Sequence, residues 1–401
     1  MKYLMLAALV FTELSFAQEP IVYPNFKYWA SFRVRAENEK ESNLANSKSP
    51  TYLRLRPGIE WQVQPKISLV GEAQAVKSFG SEVYTPSSTT ANSRQRSSGY
   101  NYDNEIYFHQ GFLKYLLNEE FEFHLGRKIL NYGDSLLIGD SDWHNTGRSF
   151  DAVTARYRYN LGWVEAFTAK LVDRSVTTDQ PGNEDLTGLY LHFDFGNAFT
   201  NVDPYIFNYQ NSTNVDGMYE VWSYGLRTKS KYNNFDYRAE YTSQTTAVSA
   251  TQIDGEVGLT LGESSRVAVG FFDATEDFNQ LYPTGHKWLG NADVLSRRNI
   301  MGGLFRYFFK ASDELAISGA YYWFNRHSES QPGYLFDGSA MANRSSAKEL
   351  GQELDLEISF RLEKQLSLSV GYADFKPGAY VSEQYSSIDP VKWYVQVLAE
   401  L

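Results

Sequence analysis

Cysteine is absent from this 401-residue chain. Secretion would allow disulfides to form, so their absence excludes the class of secreted domains that cross-links hold together. The fold itself must therefore supply the stability.

Long hydrophobic runs are also missing. No stretch after the first 17 residues reaches the roughly 18 apolar residues that a transmembrane helix requires. If the chain crosses a membrane, it must do so as a closed β-barrel, because only helices and barrels satisfy every backbone polar group in lipid.

An excess of positive charge is lacking as well. The formal net charge is -11, with 37 Lys and Arg against 48 Asp and Glu. A chain of this balance repels phosphate backbones, so we expect no nucleic-acid partner.

Catalytic signatures are not recognisable. Only 6 histidines occur, and none accompanies a nucleophile motif, a glycine-rich phosphate loop or a glycosidase carboxylate pair. Asp134, Asp140, Asp142 and His144 are metal-ligand types, but they lack the Asp-x-Asp-x-Asp-Gly spacing of a calcium loop. We expect no enzymatic activity, no cofactor and no bound metal, and interpret this segment as solvated or salt-bridged.

Aromatic residues, in contrast, are abundant. The chain has 29 Tyr, 26 Phe and 8 Trp although its mean hydropathy is -0.43. Apolar and polar residues alternate in residues 51–63, 235–244 and 349–362, where Leu350 starts the apolar set of the last segment. Such alternation is typical of a barrel wall with lipid on one face and a lumen on the other, although a soluble β-sandwich also alternates.

Connection lengths distinguish these two folds. Eight short turns, near residues 65, 118, 161, 198, 233, 264, 312 and 364, alternate with nine longer connections, which gives nine hairpins. We predict an all-β fold, a transmembrane antiparallel up-and-down β-barrel of about 18 strands surrounded by outer-membrane lipid. Short turns would face the periplasm and long loops the outside.

The two chain ends fit export to the outer membrane of a Gram-negative bacterium. Lys2 precedes an apolar run, and small residues flank Phe16, so residues 1–17 are predicted to be a signal peptide. Residues 18–401 would then form the single barrel. The last strand alternates and ends on the apolar Leu401, which resembles the terminal strand that the barrel assembly machinery reads, although Phe is usual there.

Tryptophan positions support the same orientation. Trp61 lies on an apolar face beside a short turn, whereas Trp222, Trp323 and Trp393 lie on apolar faces beside long connections. This pattern indicates two aromatic girdles at the membrane interfaces.

One segment, residues 126–153, carries a longer signature. It contains Gly126-Arg127, Tyr132-Gly133-Asp134, Gly139-Asp140, Asp142-Trp143 and Gly147-Arg148-Ser149-Phe150-Asp151-Ala152-Val153. In this order the motifs resemble those of the alginate export family of outer-membrane β-barrel porins. The resemblance implies a passive pore for an anionic, alginate-like uronate polysaccharide or oligosaccharide, with basic residues around its constriction.

Inward-facing arginines agree with that implication, because the guanidinium fork suits carboxylates and stays charged at every working pH. The residues predicted to line the pore and contact substrate are Arg33, Arg35, Arg54, Arg56, Arg127, Arg148, Arg156, Arg158 and Arg238. Arg148, Arg156 and Arg158 are expected to form one basic track. Arg127 needs a bulge at Gly126 or a place at the membrane rim, since simple alternation points it at lipid.

Residues 131–147 are too apolar for an unsupported external loop, so they are predicted to fold over or into the pore mouth. The constriction-loop residues would be Asp134, Asp140, Asp142, Trp143 and His144. Lumen-facing acids such as Glu240, Asp254 and Glu353 leave an alternative open: a general or small-solute diffusion porin with a mixed-charge lumen, which would carry other small anionic solutes.

Overall fold

The computed structural model describes residues 25–40, 49–79, 106–170, 184–196, 201–211, 219–245, 249–342, 345–384 and 390–401. The predicted signal peptide lies outside these ranges.

Antiparallel strands make up most of the described chain. In chain order they are β1 (Asn25–Lys40), β2 (Thr51–Gln64), β3 (Ile67–Phe79), β4 (Ile106–Leu116), β5 (Phe121–Lys128), β6 (Phe150–Tyr159), β7 (Gly162–Lys170), β8 (Glu184–Asp194), β9 (Asn201–Asn211), β10 (Tyr219–Tyr232), β11 (Phe235–Thr245), β12 (Ser249–Leu261), β13 (Ser265–Ala274), β14 (Ile300–Lys310), β15 (Leu315–Asn325), β16 (Glu349–Glu363), β17 (Leu366–Pro377) and β18 (Val391–Glu400).

Each strand pairs with its sequence neighbours, and β18 pairs with β1, so the sheet closes into an 18-stranded up-and-down barrel. The fold prediction is confirmed. All eight predicted turns connect strands at one end of the barrel, which we call the short-turn end. The opposite, long-loop end is uneven, because residues 246–248 alone connect β11 to β12.

The predicted alternation is confirmed along β2. Arg54 and Arg56 are buried inside the barrel, whereas Leu55, Ile59 and Trp61 are exposed on its outward face. The outward Trp222, Trp323 and Trp393 are likewise exposed, each 39–44% of its maximum. The two aromatic girdles therefore face the lipid side of the wall.

Leu350 is an exception to the alternation. The sequence pattern placed it on the outward face, but it is only 1% exposed and belongs to the buried apolar cluster. A bulge between Phe324 and Asn325 shifts the pairing with β16, so that Phe324 opposes Gly351 and Asn325 opposes Glu349. An extra residue in one strand reverses the face that a side chain occupies.

The main apolar core is built from loops folded against the inner wall. Leu136, Leu137 and Ile138 are at most 2% exposed and pack in one cluster with inward residues such as Phe167 and Phe207. Burial of each such side chain contributes roughly 1.5–3 kcal/mol relative to exposure. This contribution explains why a connection of this composition lies inside the barrel.

Helical structure is minor in the part of the chain that the structure describes. There, a 3-10 turn covers Gly285–Lys287, and one short helix, α1 (Ala379–Gln384), precedes β18. Among the residues that the structure describes, no helix has the length and apolarity needed to cross a membrane.

Candidate functional site in the barrel lumen

Two connections at the long-loop end meet inside the barrel. Loop A (residues 129–149) joins β5 to β6, and loop B (residues 275–299) joins β13 to β14, eight strands further around the wall. Ile138 and Tyr282 form a parallel bridge between them. The Tyr282 amide donates to the Leu137 carbonyl at 2.7 Å, and the Gly139 amide donates to the Tyr282 carbonyl at 2.9 Å. The two loops therefore form one crosspiece within the lumen.

Asp142 fastens loop A to the first two strands. Its carboxylate accepts hydrogen bonds from Arg54 Nη1 and Nη2 at 2.9 and 3.0 Å and from Arg56 Nη1 at 2.6 Å. Arg33 Nη1 donates to the Asp142 carbonyl oxygen at 2.7 Å. These three arginines face inward as predicted, but they are at most 7% exposed because the loop covers them.

This arrangement fixes the ionisation of Asp142. Partial burial alone would raise the pKa of its carboxyl group, yet the guanidinium groups of Arg54 and Arg56 hold that pKa well below its usual range. The arginines thus already have a counter-charge from loop A. A passing solute is therefore not required to relieve the mutual repulsion of these arginines.

Trp143 connects loop A to loop B and to two strands. Its ring stacks on His286 at a centroid distance of 4.0 Å and an interplanar angle of 7°. The guanidinium of Arg35 lies 3.8 Å from the Trp143 ring centroid, and Tyr394 contacts the ring edge. Such cation–π and stacking contacts each add a modest stabilisation. Arg35 therefore also faces inward, but toward loop A.

Asp134 holds loop A on the opposite side, against β9 and β10. Arg227 donates to Asp134 Oδ1 at 2.8 Å and to Asp203 Oδ2 at 2.5 Å. Burial favours a higher pKa for Asp134, but the Arg227 guanidinium outweighs it and lowers the pKa. The Asp134 carbonyl also accepts from Trp288 Nε1 of loop B at 2.8 Å.

The remaining loop candidates point elsewhere. Asp140 accepts a hydrogen bond from the Thr284 hydroxyl at 3.1 Å, and the exposed His144 contacts Thr146 Oγ1 at 2.8 Å. Asp134, Asp140, Asp142 and His144 thus each have a different partner. In the described ranges no group of three potential metal ligands converges.

Arg148 does not join a basic track, which corrects that part of the prediction. It precedes β6 and is 3% exposed, with Nη1 donating to the carbonyls of Gly139 at 3.1 Å and Pro283 at 2.9 Å. It also donates to the Tyr282 carbonyl. Arg148 therefore stabilises the junction of loops A and B, because carbonyl groups outside regular structure need donors.

Arg127 does not line the pore. Its strand register places it opposite Asp151, on the face that also carries the exposed Leu125 and Val153. Arg127 Nε and Nη2 donate to the two Asp151 carboxylate oxygens at 2.7 and 2.9 Å. Near the end of β5, this ion pair lowers the cost of an outward charge, so the rim alternative is the correct one.

Arg156 and Arg158 remain as the inward pair on β6. Arg156 Nε donates to Glu165 Oε2 at 2.8 Å, and its guanidinium lies 4.4 Å from the Trp163 ring centroid. Arg158 Nη2 donates to Glu122 Oε2 at 2.8 Å, while 44% of its side chain stays exposed. Unlike the arginines of β1 and β2, these two are not covered by loop A.

A second group of cations surrounds Trp288 of loop B. Arg238, Lys287 and Arg306 lie 3.9, 4.6 and 5.6 Å from its ring centroid. Arg238 is paired with Asp254 at 2.5 Å and is buried, whereas Lys287 is exposed to the lumen. Lys229, directly opposite Arg238 on the neighbouring strand, is exposed too.

Sequence reasoning missed Lys287 and Trp288. The available signal was the cationic and aromatic run His286-Lys287-Trp288 in the middle of a long connection. Its position in the lumen depends on how deeply loop B folds, which local sequence does not encode.

Residues 26–394 match the family model described as alginate export. The chain belongs to the alginate export family. The family and the fold are those of outer-membrane transport porins, and they imply the outer membrane of a Gram-negative bacterium. A search of curated proteins gave no match.

Solved porins share the architecture of this alginate export family member. The outer-membrane protein OpdK of Pseudomonas aeruginosa aligns with a TM-score of 0.65 and 12% identity, over 94% of this chain and 98% of that one. OccAB1 of Acinetobacter baumannii aligns with a TM-score of 0.66 and 10% identity, over 94% and 96%. OccK2 of Pseudomonas aeruginosa, solved in complex with glucuronate, aligns with a TM-score of 0.62 and 9% identity, over 94% and 98%. Identities this low establish a common fold only.

Proposed function

We propose that this channel passes anionic saccharides that contain uronate units, by diffusion and without a cofactor. The observation that carries the proposal is the exposure of Lys229 and Lys287 inside the barrel. Within the described part of the chain, neither lysine forms an ion pair, unlike the neighbouring Arg238 and Arg306.

An ammonium group that faces lumen water without a carboxylate partner attracts anions. Arg158 adds to this field, since a single hydrogen bond to Glu122 leaves other guanidinium donors turned to the lumen. A uronate carboxylate can accept charge-assisted hydrogen bonds from such donors. The hydroxyl groups of the same sugar can contact the surrounding polar side chains. The glucuronate complex of the similarly folded OccK2 supports the same chemical class.

A second candidate is a porin for small anionic solutes alone. It is favoured by the crosspiece of loops A and B, because the Ile138–Tyr282 bridge spans space that a polymer would need. The buried inward acids Glu240, Asp254 and Glu353 also weaken a purely basic lumen. Under this candidate, single uronates pass and longer chains do not.

Single-channel recordings separate the two candidates. We expect hexamers of mannuronate to block the wild-type current reversibly. Maltohexaose, a neutral sugar of the same length, is the control and should have little effect. Lys229→Gln combined with Lys287→Gln should weaken the block about tenfold, since two charge-assisted contacts are lost. Equal effects of both sugars would overturn the proposal. Permeation of glucuronate without any oligomer block would favour the small-solute porin.

A further inference from the structure

Two neighbouring acids of β16 fasten the tip of loop B (residues 290–292) to the inner wall. Glu353 and Asp355 lie two residues apart, so both carboxyl groups face inward, and the residues are 1% and 4% exposed. The Ala292 amide donates to Glu353 Oε1 at 2.7 Å, and the Asn291 amide donates to Asp355 Oδ2 at 3.1 Å. We call the two carboxyl groups and the two amides the loop B latch.

Gly290 shows how closely the backbone of loop B approaches this latch. Its φ of 92° is a conformation that other residues rarely adopt, and a Cβ atom at this position would overlap the Glu353 carboxyl group. Glycine is therefore required where the chain passes over Glu353. Lys287, the exposed lysine of loop B, shortly precedes the tip, so the latch also restrains the segment that carries this lysine.

The two carboxyl groups have no cation to balance them. In the part of the chain that the structure describes, neither forms an ion pair, and Glu353 Oε2 and Asp355 Oδ1 are buried without a hydrogen-bond donor. The two groups lie within hydrogen-bonding distance of each other. Ionised carboxylates only accept hydrogen bonds, so this contact requires one proton between them.

The surrounding groups do not supply the missing positive charge. Arg306 is paired with Glu256 at 3.1 Å. Lys392 and His286 are both paired with Asp293, at 2.9 Å. β17 places only apolar side chains directly opposite the two acids. The charged or titratable groups on the elements packed around the latch are Tyr322 of β15, Arg306 of β14, His286, Lys287 and Asp293 of loop B, Glu357 of β16, and Lys392 and Tyr394 of β18.

We propose that Glu353 and Asp355 hold one proton in common at neutral pH, and that this proton keeps the tip of loop B on the wall. With the proton in place, the pair carries one negative charge, which the two loop amides stabilise. Loss of the proton leaves two like charges in a site closed to water, and release of the tip relieves their repulsion by admitting water. The latch therefore frees this part of loop B in alkaline solution. The inference does not depend on which solute passes through the channel.

Infrared difference spectroscopy of the purified barrel detects the shared proton. A protonated carboxyl group absorbs above the amide I band, and a carboxylate does not. At neutral pH, one such band of the wild type should be lost in Glu353→Gln and also in Asp355→Asn. Glu165→Gln is the matched control, because Glu165 is also 1% exposed but is paired with Arg156 at 2.8 Å. This control should leave the band in place.

Thiol labelling detects release of the tip, since the chain has no cysteine of its own. Asn291→Cys keeps the backbone amide that donates to Asp355. We compare its rate of reaction with a methanethiosulfonate reagent with the rate in the same variant carrying Glu353→Gln, which removes the pH dependence of the thiol itself. In alkaline buffer the ratio should rise by up to about tenfold per pH unit, because release is coupled to one proton. The glutamine amide donates to Asp355 in place of the proton, so the tip stays fastened in the reference variant.

Heat-modifiable gel migration identifies the variants that have folded as barrels. If one of the two isosteric variants does not fold, the other serves in both assays. A neutral-pH spectrum in which neither Glu353→Gln nor Asp355→Asn removes a carboxyl band would overturn the proposal, and a metal ion bound between the acids would give that result. A labelling ratio that does not change with pH would overturn the release of the tip. Neither assay contains a solute, so both outcomes are distinct from failure of the proposed transport function.

Discussion

The inward arginines of β1 and β2 and those of β6 look alike in the sequence but differ in the folded barrel. Arg33, Arg54 and Arg56 are buried under loop A and share the carboxylate and carbonyl of Asp142. Arg156 and Arg158 are paired with wall acids and stay partly exposed to the lumen. The first group fastens a loop and the second remains available to a solute. Facing the lumen is therefore necessary for solute contact but not sufficient.

Among the changes that test this difference between the two groups of arginines, Asp142→Ala should have the largest effect. It leaves three clustered guanidinium groups without their shared carboxylate and removes the main anchor of loop A. We expect a loss of about 2–3 kcal/mol in the free energy of unfolding, less than for a fully buried pair because 48% of the Asp142 side chain is exposed. Single-channel conductance should rise as the loop detaches.

The matched control for that change is Asp313→Ala in a short turn, where an exposed ion pair with Lys310 is lost. It should leave conductance unaltered. If Asp142→Ala also left conductance unaltered, loop A would not restrict the pore.

Replacing Arg156 and Arg158 by Glu should change selectivity more than stability. Both positions face lumen water, so the four units of charge difference act on the permeating ion. The reversal potential in a salt gradient should move toward cation preference, and block by uronate oligomers should weaken. Lys364→Glu, in the turn between β16 and β17, changes the charge by half as much and outside the strands, and it should have little effect. A shift for Lys364→Glu that is half as large as that of the double variant would show that only net charge matters.

Low pH should weaken the attachment of loop A to the barrel wall. We expect this effect to be smaller than those of the Asp142 and the Arg156 and Arg158 substitutions. The pKa values of Asp142 and Asp134 are held below their usual range near 3.9, by Arg54 and Arg56 and by Arg227, despite burial. Their stabilisation is thus complete above about pH 4 and is lost as pH falls through the lowered pKa values. Conductance noise from loop A should stay constant between pH 5 and 8 and increase below about pH 3. A transition near neutral pH would assign loop movement to other groups.

The wall of this barrel could be predicted from sequence because its rules are local. Alternation has a period of two, and each short turn joins adjacent strands, so counting hairpins gives the strand number. Leu350 departs from the pattern because a bulge in pairing with β15 is not visible in a single strand.

The lumen was harder to predict, because its contacts join residues far apart in the chain. Asp142 and Trp143 stand out in the sequence because their segment is unusual, but their partners on β1, β2 and loop B do not. Arg148 shares a phase with Arg156 and Arg158, yet it lies before β6 and contacts loop B, so phase alone misplaced it. Lys287 reaches the lumen only because loop B folds inward.

The most direct test of the account is the reversal potential of the wild-type channel in a planar bilayer with a tenfold potassium chloride gradient. The exposed Lys229, Lys287 and Arg158 predict chloride preference, and replacing chloride by glucuronate should sustain an anion current. A potassium-preferring channel that conducts no glucuronate would contradict the account, since the inward acids would then dominate the lumen.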